Sequence, residues 1–150
     1  MNQEKIMKRK MISSIVLFIL ALIALLVFVG LYIDETKKTQ QSYNIQYMEN
    51  IKSARDEITY YLDTKTDYDL HYNMLISDLG AARSLIFLLD NLTEQQKIIN
   101  ELHYCFVKYP EQMKSKLEDT KTALEDIADN LDKGYTEAYD IVQSINRMGT

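Results

Sequence analysis

Residues 12 to 33 form an unbroken run of 22 residues without one charged side chain. As a helix this run is about 33 Å long, which matches the roughly 30 Å hydrocarbon core of a bilayer. The apolar core of a secretory signal is usually only about 7 to 15 residues long, and the bulky residues from Val29 to Ile33 offer no small-residue cleavage site. The sequence therefore predicts a transmembrane signal-anchor helix over 12–33 that stays attached to the protein.

The two flanks of this run differ in charge. The preceding segment carries four basic residues, which are Lys5, Lys8, Arg9 and Lys10, whereas the following segment opens with Asp34 and Glu35. Because basic residues are retained on the cytoplasmic side, we expect 1–11 to be a cytoplasmic basic N-terminus and 34–150 to be extracytoplasmic. Tyr32 is placed as an interfacial aromatic residue. This topology predicts a single-pass protein of the cell membrane, with the lipid bilayer as one partner.

Helical periodicity dominates the remaining residues, and breakers are few, since the 150 residues include four glycines and one proline. Apolar residues recur at alternating steps of three and four, which is the spacing of one helix face. The first series is Tyr47, Ile51, Ala54, Ile58 and Tyr61, the second is Tyr68, Tyr72, Leu75, Leu79, Ala82, Ile86 and Leu89, and the third is Ile99, Leu102, Phe106 and Tyr109. The pattern predicts a first helix that ends near residue 64, followed by two further helices in antiparallel order.

Two capping boxes are expected at the helix starts, one formed by Thr66 and Asp69 and the other by Thr93 and Gln96. Pro110 is either the first residue of a new helix or a kink, and we favour a turn or sharp break there. Downstream, the heptad step continues from Met113 to Met148, with a weak break at Gly134.

These patterns together define the expected fold class. It is all-α, with one N-terminal transmembrane helix followed by an elongated antiparallel three- or four-helix bundle over 34–150.

The candidates for chemistry each have a structural explanation that we prefer. Asp67, Asp69 and His71 have partial metal-ligand spacing, but acids in a first helical turn complement the helix dipole. His103 is expected at the surface or its boundary. Cys105, the only cysteine, adjoins an apolar stripe and is interpreted as a buried thiol, with an intermolecular disulfide left open.

Motifs of the common catalytic and nucleic-acid-binding classes do not occur in the sequence. It lacks a glycine-rich phosphate loop, a nucleophile elbow, an HExxH or CxxC motif and a basic stripe. We therefore expect a non-enzymatic protein with no catalytic, metal or cofactor site and no nucleic-acid partner.

Two surfaces are candidates for contact with a protein partner. Tyr60 is expected to be an exposed aromatic residue next to the first turn. Four acidic residues at steps of seven, four and three predict an acidic helix face, and they are Glu118, Glu125, Asp129 and Asp132. For both surfaces an ordinary solvated surface is the alternative.

A basic N-terminus at Lys5 to Lys10, one span over 12–33 and antiparallel outer helices together resemble the ectodomain portion of bacterial four-helix-bundle chemoreceptors and sensor kinases. The resemblance is architectural and implies a ligand-binding sensory module that signals through a separate membrane partner. Our first hypothesis is an interaction or scaffold module for an envelope protein partner, and the apolar stripes also leave a homo-oligomer open.

Overall fold

The computed structural model describes residues 2–90 and 96–147, and within these ranges it is helical, with no strand. The helices are α1 (Asn2–Thr64), α2 (Tyr68–Ile86), α3 (Ile98–Lys108), α4 (Pro110–Lys114), α5 (Leu117–Ala128) and α6 (Asp132–Ser144). The expected all-α class with a long apolar N-terminal helix is confirmed. The chain divides into two compact units, and the division lies within α1 between Thr39 and Gln40.

The first unit contains one helix that is long and apolar enough to cross a membrane. Every residue from 12 to 33 is exposed. The exposed fraction of the large side chains in this run ranges from 44% at Leu22 to 74% at Tyr32. Nothing in the described protein covers this apolar surface, and water does not stabilise so large an apolar patch.

The second unit has one apolar core, built from the faces that the periodicity predicts. In α1 the buried side chains are Tyr47, Ile51, Ala54 and Ile58, and in α2 they are Tyr72, Leu75, Leu79, Ala82 and Ile86. Helix α3 contributes Ile99, Leu102, Cys105 and Phe106, and the later helices contribute Met113, Leu117, Leu124, Ile127, Ala138, Ile141 and Val142.

Two side-chain contacts at different distances from the connecting turn show that α1 and α2 run antiparallel. Ser53 Oγ donates to Asp78 Oδ2 over 2.7 Å, and nearer the turn His71 Nδ1 lies 2.6 Å from Glu57 Oε2. The connecting turn places two non-glycine residues in the left-handed region, Lys65 at φ 56° and Asp67 at φ 51°.

The capping box expected at Thr66 and Asp69 is wrong. The residue that precedes α2 is Asp67, whose side chain makes no capping hydrogen bond, and the Thr66 hydroxyl instead lies 3.0 Å from Thr64 Oγ1. Helix α2 also ends at Ile86, three residues before the predicted Leu89. The second predicted capping box includes Thr93, which lies outside the described residues.

The chain breaks at Pro110, as favoured from the sequence. Tyr109 has φ −128° and ψ 53°, and Pro110 takes the first position of α4, where a missing amide proton costs no helical hydrogen bond. The Tyr109 amide still donates to Cys105 O over 2.8 Å, so α3 closes its last turn before the break.

The continuous final helix predicted from Met113 onward is wrong, and the break is not at Gly134. Helix α5 ends in a Schellman motif, with Asn130 in the left-handed region at φ 60°. The Asn130 amide donates to Ile127 O over 2.9 Å and the Leu131 amide to Asp126 O over 2.8 Å. Leu131, expected in the apolar stripe, is 43% exposed. Met148, the last residue of that predicted series, lies outside the described residues.

Helix α6 therefore returns along α5 as the second arm of an antiparallel hairpin. Gly134 lies within α6 at the closest approach, because a Cβ atom there would lie 2.6 Å from Ala123 O and 2.7 Å from Ile127 N. Together with α2, α3 and the later part of α1, the hairpin completes the helical bundle. The described residues form more helices than the sequence predicts because the last predicted helix is divided.

Candidate interaction surfaces

The residues predicted to set membrane topology all lie in the first unit. Lys5, Lys8, Arg9 and Lys10 are exposed on α1, and Lys8 Nζ forms an ion pair with Glu4 Oε1 at 3.1 Å. Tyr32 points its ring outward near the end of the apolar run.

Tyr60 is exposed, as the sequence predicts, with 53% of its surface accessible. Its ring packs against the His71 ring at a centroid distance of 4.5 Å. The His71–Glu57 pair beneath it is largely enclosed, with side-chain exposures of 13% and 16%. The tyrosine therefore covers a polar contact between α1 and α2 with one face and presents the other face to solvent.

The structure separates the three residues with metal-ligand spacing. Asp67 lies in the turn, Asp69 is exposed in the first turn of α2, and His71 faces Glu57 on α1. Among the described residues no group of three His, Cys, Asp or Glu side chains is arranged to hold a metal ion.

The four predicted acidic contact residues are all exposed, but they do not form one helix face. Glu118 and Glu125 lie on α5, Asp129 follows its last residue, and Asp132 begins α6. The steps of seven, four and three assumed a continuous helix, so the turn at 129–131 removes the common face. Glu118 and Glu125 remain aligned, because seven residues are close to two helical turns.

The hairpin instead brings together two other acidic residues and one lysine, which we call the hairpin cluster: Asp126, Glu137 and Lys133. Lys133 Nζ lies 2.8 Å from Asp126 Oδ2, and the Asp126 side chain is only 12% exposed. Burial raises the pKa of the Glu137 carboxyl, and the hydrogen bond that protonated Glu137 donates to Asp126, together with the negative charge of Asp126, raises it further. The nearby lysine opposes these effects without cancelling them.

A groove of about 350 Å³ runs beside this cluster, between α5 and α6. Its charged lining residues are Lys116, Asp119, Glu137 and Asp140, of which three are acidic. Lys116 Nζ lies 4.0 Å from Asp119 Oδ2, so part of the negative charge is balanced internally. The groove and the adjoining Glu118 form a surface suited to basic side chains.

Sequence reasoning missed this groove, although one signal for it was present. Asn130 tolerates the left-handed conformation that ends many helices. A turn placed there brings Glu137 and Asp140 of α6 beside Asp119 of α5, because antiparallel neighbours pair residues at equal distances from their turn.

His103 lies at the boundary between core and surface, as the sequence predicts. Its ring lies against Gly80 of α2, where an added Cβ would be 3.2 Å from His103 Nε2. Burial lowers the pKa of His103, and the positive charge of Arg83 lowers it further. Nearby Cys105 is fully buried as predicted, and burial raises the pKa of its thiol, so the native fold does not expose it for an intermolecular disulfide.

A second cavity, of about 590 Å³, lies between the start of α3 and the middle of α6. Its lining includes Ile98, Asn100, Tyr135 and Tyr139. At its inner side the Tyr135 hydroxyl lies 3.2 Å from the hydroxyl of Tyr47 on α1.

The chain matches no family model, and neither the curated proteins nor the solved structures include a significant match to it.

Proposed function

We propose that the protein is a non-enzymatic, single-pass membrane-anchored interaction module whose extracytoplasmic helical bundle binds an envelope protein partner. The observation that carries the proposal is the coexistence of a fully exposed apolar helix with a separately packed helical core. An exposed apolar segment of this length is stable in lipid, whereas the packed unit is stable in water.

The proposed orientation places the basic N-terminus in the cytoplasm, on the basis of Lys5 to Lys10. The bundle then lies outside the cytoplasm and is available to other envelope proteins. Cysteine labelling in intact cells tests this orientation, because the native Cys105 is buried and contributes little background. A membrane-impermeant maleimide should label Thr122→Cys but not Gln3→Cys, and the reverse pattern would overturn the topology.

The proposed partner contact is the acidic surface of the hairpin, including Glu118 and Glu125, with a basic helix or loop as its complement. Charge complementarity at such a surface increases the association rate and the selectivity of binding. Tyr60 is the second proposed contact, because a half-exposed aromatic ring buries a large area when a partner covers it.

Site-specific photocrosslinking in membranes tests the contact. A photoreactive residue at position 122 should yield one specific adduct, and Glu118→Lys together with Glu125→Lys should abolish it. The matched control is Glu49→Lys, which reverses an exposed acidic residue on α1. An adduct that survives the hairpin reversals, or is equally lost with the α1 reversal, would contradict the acidic contact.

A ligand-binding sensory module is the second candidate function, and the cavity between α3 and α6 favours it. Its volume of about 590 Å³ lies within the range of small-molecule sites, and it combines the aromatic ring of Tyr139 with the amide of Asn100. A ligand of this cavity should raise the unfolding temperature of the full chain, and Tyr139→Ala should remove that increase. A screen in which every stabilising compound acts equally on the variant would reject this candidate.

A further inference from the structure

Buried side-chain atoms without a hydrogen-bond partner occur at two places in the described residues. Two of these atoms, Asp126 Oδ2 and Glu137 Oε2, belong to the hairpin cluster, where Lys133 and the hydrogen bond between the two carboxyl groups compensate them. The other two are Asn100 Oδ1 and His103 Nδ1, both on α3. Because a buried polar atom left unpaired destabilises a fold, two such atoms at one place require an explanation.

Both side chains line one groove of about 270 Å³ between α2 and α3. Four lining residues of α3 follow one another at steps of three, one and three, so they share one helix face: Asn100, His103, Tyr104 and Val107. The edge of the His103 ring that carries Nε2 faces Gly80 of α2, and Nδ1 is therefore on the opposite edge. The two unpartnered atoms thus belong to neighbouring side chains of the same groove.

The groove also contains a positive charge that is not neutralised. Arg83, in the last turn of α2, is exposed and forms no hydrogen bond or ion pair with another described residue. Burial lowers the pKa of His103 and the Arg83 charge lowers it further, so the imidazole is uncharged at neutral pH. Glu101 is the one carboxylate among the described lining residues, and its Oε2 lies 3.0 Å from Arg147 Nη2. The lining therefore suits an anion, although the bundle as a whole is acidic.

These groups together specify the chemistry of a ligand. A guanidinium such as that of Arg83 binds a carboxylate through two parallel hydrogen bonds. A single hydroxyl group both donates and accepts, so it is able to donate to Asn100 Oδ1 and accept from His103 Nδ1 when that nitrogen carries the proton. Tyr104 and Val107 are 46% and 54% exposed and offer an apolar surface to a ring. The volume is near the lower limit of small-molecule sites, about 300 Å³, which restricts the ligand to a small one.

We infer that the groove between α2 and α3 binds a small aromatic hydroxycarboxylate, with its carboxylate on Arg83 and its hydroxyl group on Asn100 and His103. This groove differs from the cavity between α3 and α6, although Asn100 and Glu101 line both. The inference requires neither the membrane anchor nor the envelope partner of the proposed function.

Isothermal titration calorimetry of the full chain in detergent micelles tests the inference. The probes are the three monohydroxybenzoates, which differ only in the distance between carboxylate and hydroxyl group, and titration into empty micelles corrects for partitioning. We expect at least one of them to bind about tenfold more tightly than benzoate, which lacks the hydroxyl group, and than phenol, which lacks the carboxylate.

Four variants locate the bound probe. Arg83→Gln should remove the advantage of the hydroxybenzoate over phenol, and Asn100→Leu should remove its advantage over benzoate. Lys108→Gln is the matched control, because it removes one positive charge from an exposed position of α3 outside the groove, and it should leave the affinity unchanged. Tyr139→Ala alters only the cavity between α3 and α6 and should also leave the affinity unchanged.

The site is refuted if no hydroxybenzoate binds more tightly than both benzoate and phenol, since solvent alone would then satisfy the two buried atoms. It is also refuted if Arg83→Gln leaves the affinity intact. Loss of binding in Tyr139→Ala would refute it as well and would assign the probe to the cavity of the second candidate function. Circular dichroism checks the fold of each variant, and the exposed Arg83 keeps the test decisive even if Asn100→Leu does not fold.

Discussion

Replacing Gly134 by alanine tests whether the close approach of α5 and α6 holds the hairpin together. The new Cβ atom would lie 2.6 Å from Ala123 O, 2.7 Å from Ile127 N and 2.8 Å from Ile127 Cγ1. Two of these are backbone atoms, which cannot move aside without displacing a whole helix. The hairpin must therefore open or bend to admit one methyl group.

Two opposing free energies determine the size of the effect. Alanine in a helix interior is favoured over glycine by about 1 kcal/mol, which stabilises the variant. Overpacking of a rigid interior costs about 1 to 3 kcal/mol, and backbone overlap places this site near the upper end. We expect Gly134→Ala to be less stable than the wild type by about 2 kcal/mol, or about 8 °C in unfolding temperature for a domain near 100 residues.

Gly80→Ala is the matched control in the same unit. Its Cβ would meet only the His103 ring, at 3.2 Å from Nε2, and a side chain can shift by a few tenths of an ångström. The gain in helix propensity then leaves this variant about as stable as the wild type. Thermal unfolding of the full chain in detergent micelles, followed by circular dichroism, measures both. If Gly134→Ala equals or exceeds Gly80→Ala in stability, the described approach of the two helices is wrong.

Three further predictions address buried and half-buried groups of the bundle. Burial raises the pKa of the Asp78 carboxyl in the folded state, although the Ser53 hydrogen bond opposes this effect. The contribution of this carboxyl to the free energy of unfolding is therefore complete at acidic pH and is lost as the pH rises through the folded-state pKa. Asp78→Asn should accordingly weaken the fall in stability as the pH rises above the ordinary pKa of an aspartate, about 4, as measured by urea denaturation at a series of pH values. Tyr47→Phe should cost about 1 to 2 kcal/mol because it leaves the buried Tyr135 hydroxyl without this partner, and adding Tyr135→Phe should recover part of the loss in a double-mutant cycle. The Cys105 thiol, which is fully buried, should react with a thiol reagent only after unfolding in guanidinium, and rapid reaction of the native protein would contradict its placement.

The apolar stripes could be predicted from the sequence because their spacing follows directly from helix geometry. Tyr47, Ile51, Ala54 and Ile58 are buried as expected, and α1 ends at Thr64 as the interruption of the pattern indicates. Periodicity shows which face of a helix is buried. Burial requires the same spacing of apolar residues in a single helix as in the two arms of a hairpin.

For the same reason periodicity did not reveal the turn between α5 and α6. Both arms of that hairpin direct apolar residues at one core, so the step of three and four continues through the turn. Among the described members of the series only Leu131 departs from it, and the turn is made by Asn130 without a glycine or proline. The acidic contact residues predicted on a straight helix were consequently divided between two helices.

The boundary position of His103 could be predicted from the sequence, but the residue that its ring packs against could not. Its partial burial depends on Gly80, 23 positions earlier in the chain, which leaves room for the imidazole ring. Contacts between residues so distant in sequence depend on how two helices pack, and a pattern within one helix does not specify that.

The short turns of the bundle have a consequence for how the chain folds. The turn between α1 and α2 contains residues 65 to 67, and the turn between α5 and α6 contains residues 129 to 131. Partners joined by three-residue turns meet with little loss of loop entropy, and proteins dominated by such local contacts fold within microseconds to milliseconds. Each hairpin is thus able to bury its apolar stripe soon after synthesis of its second helix, before the exposed apolar stripes of neighbouring nascent chains associate.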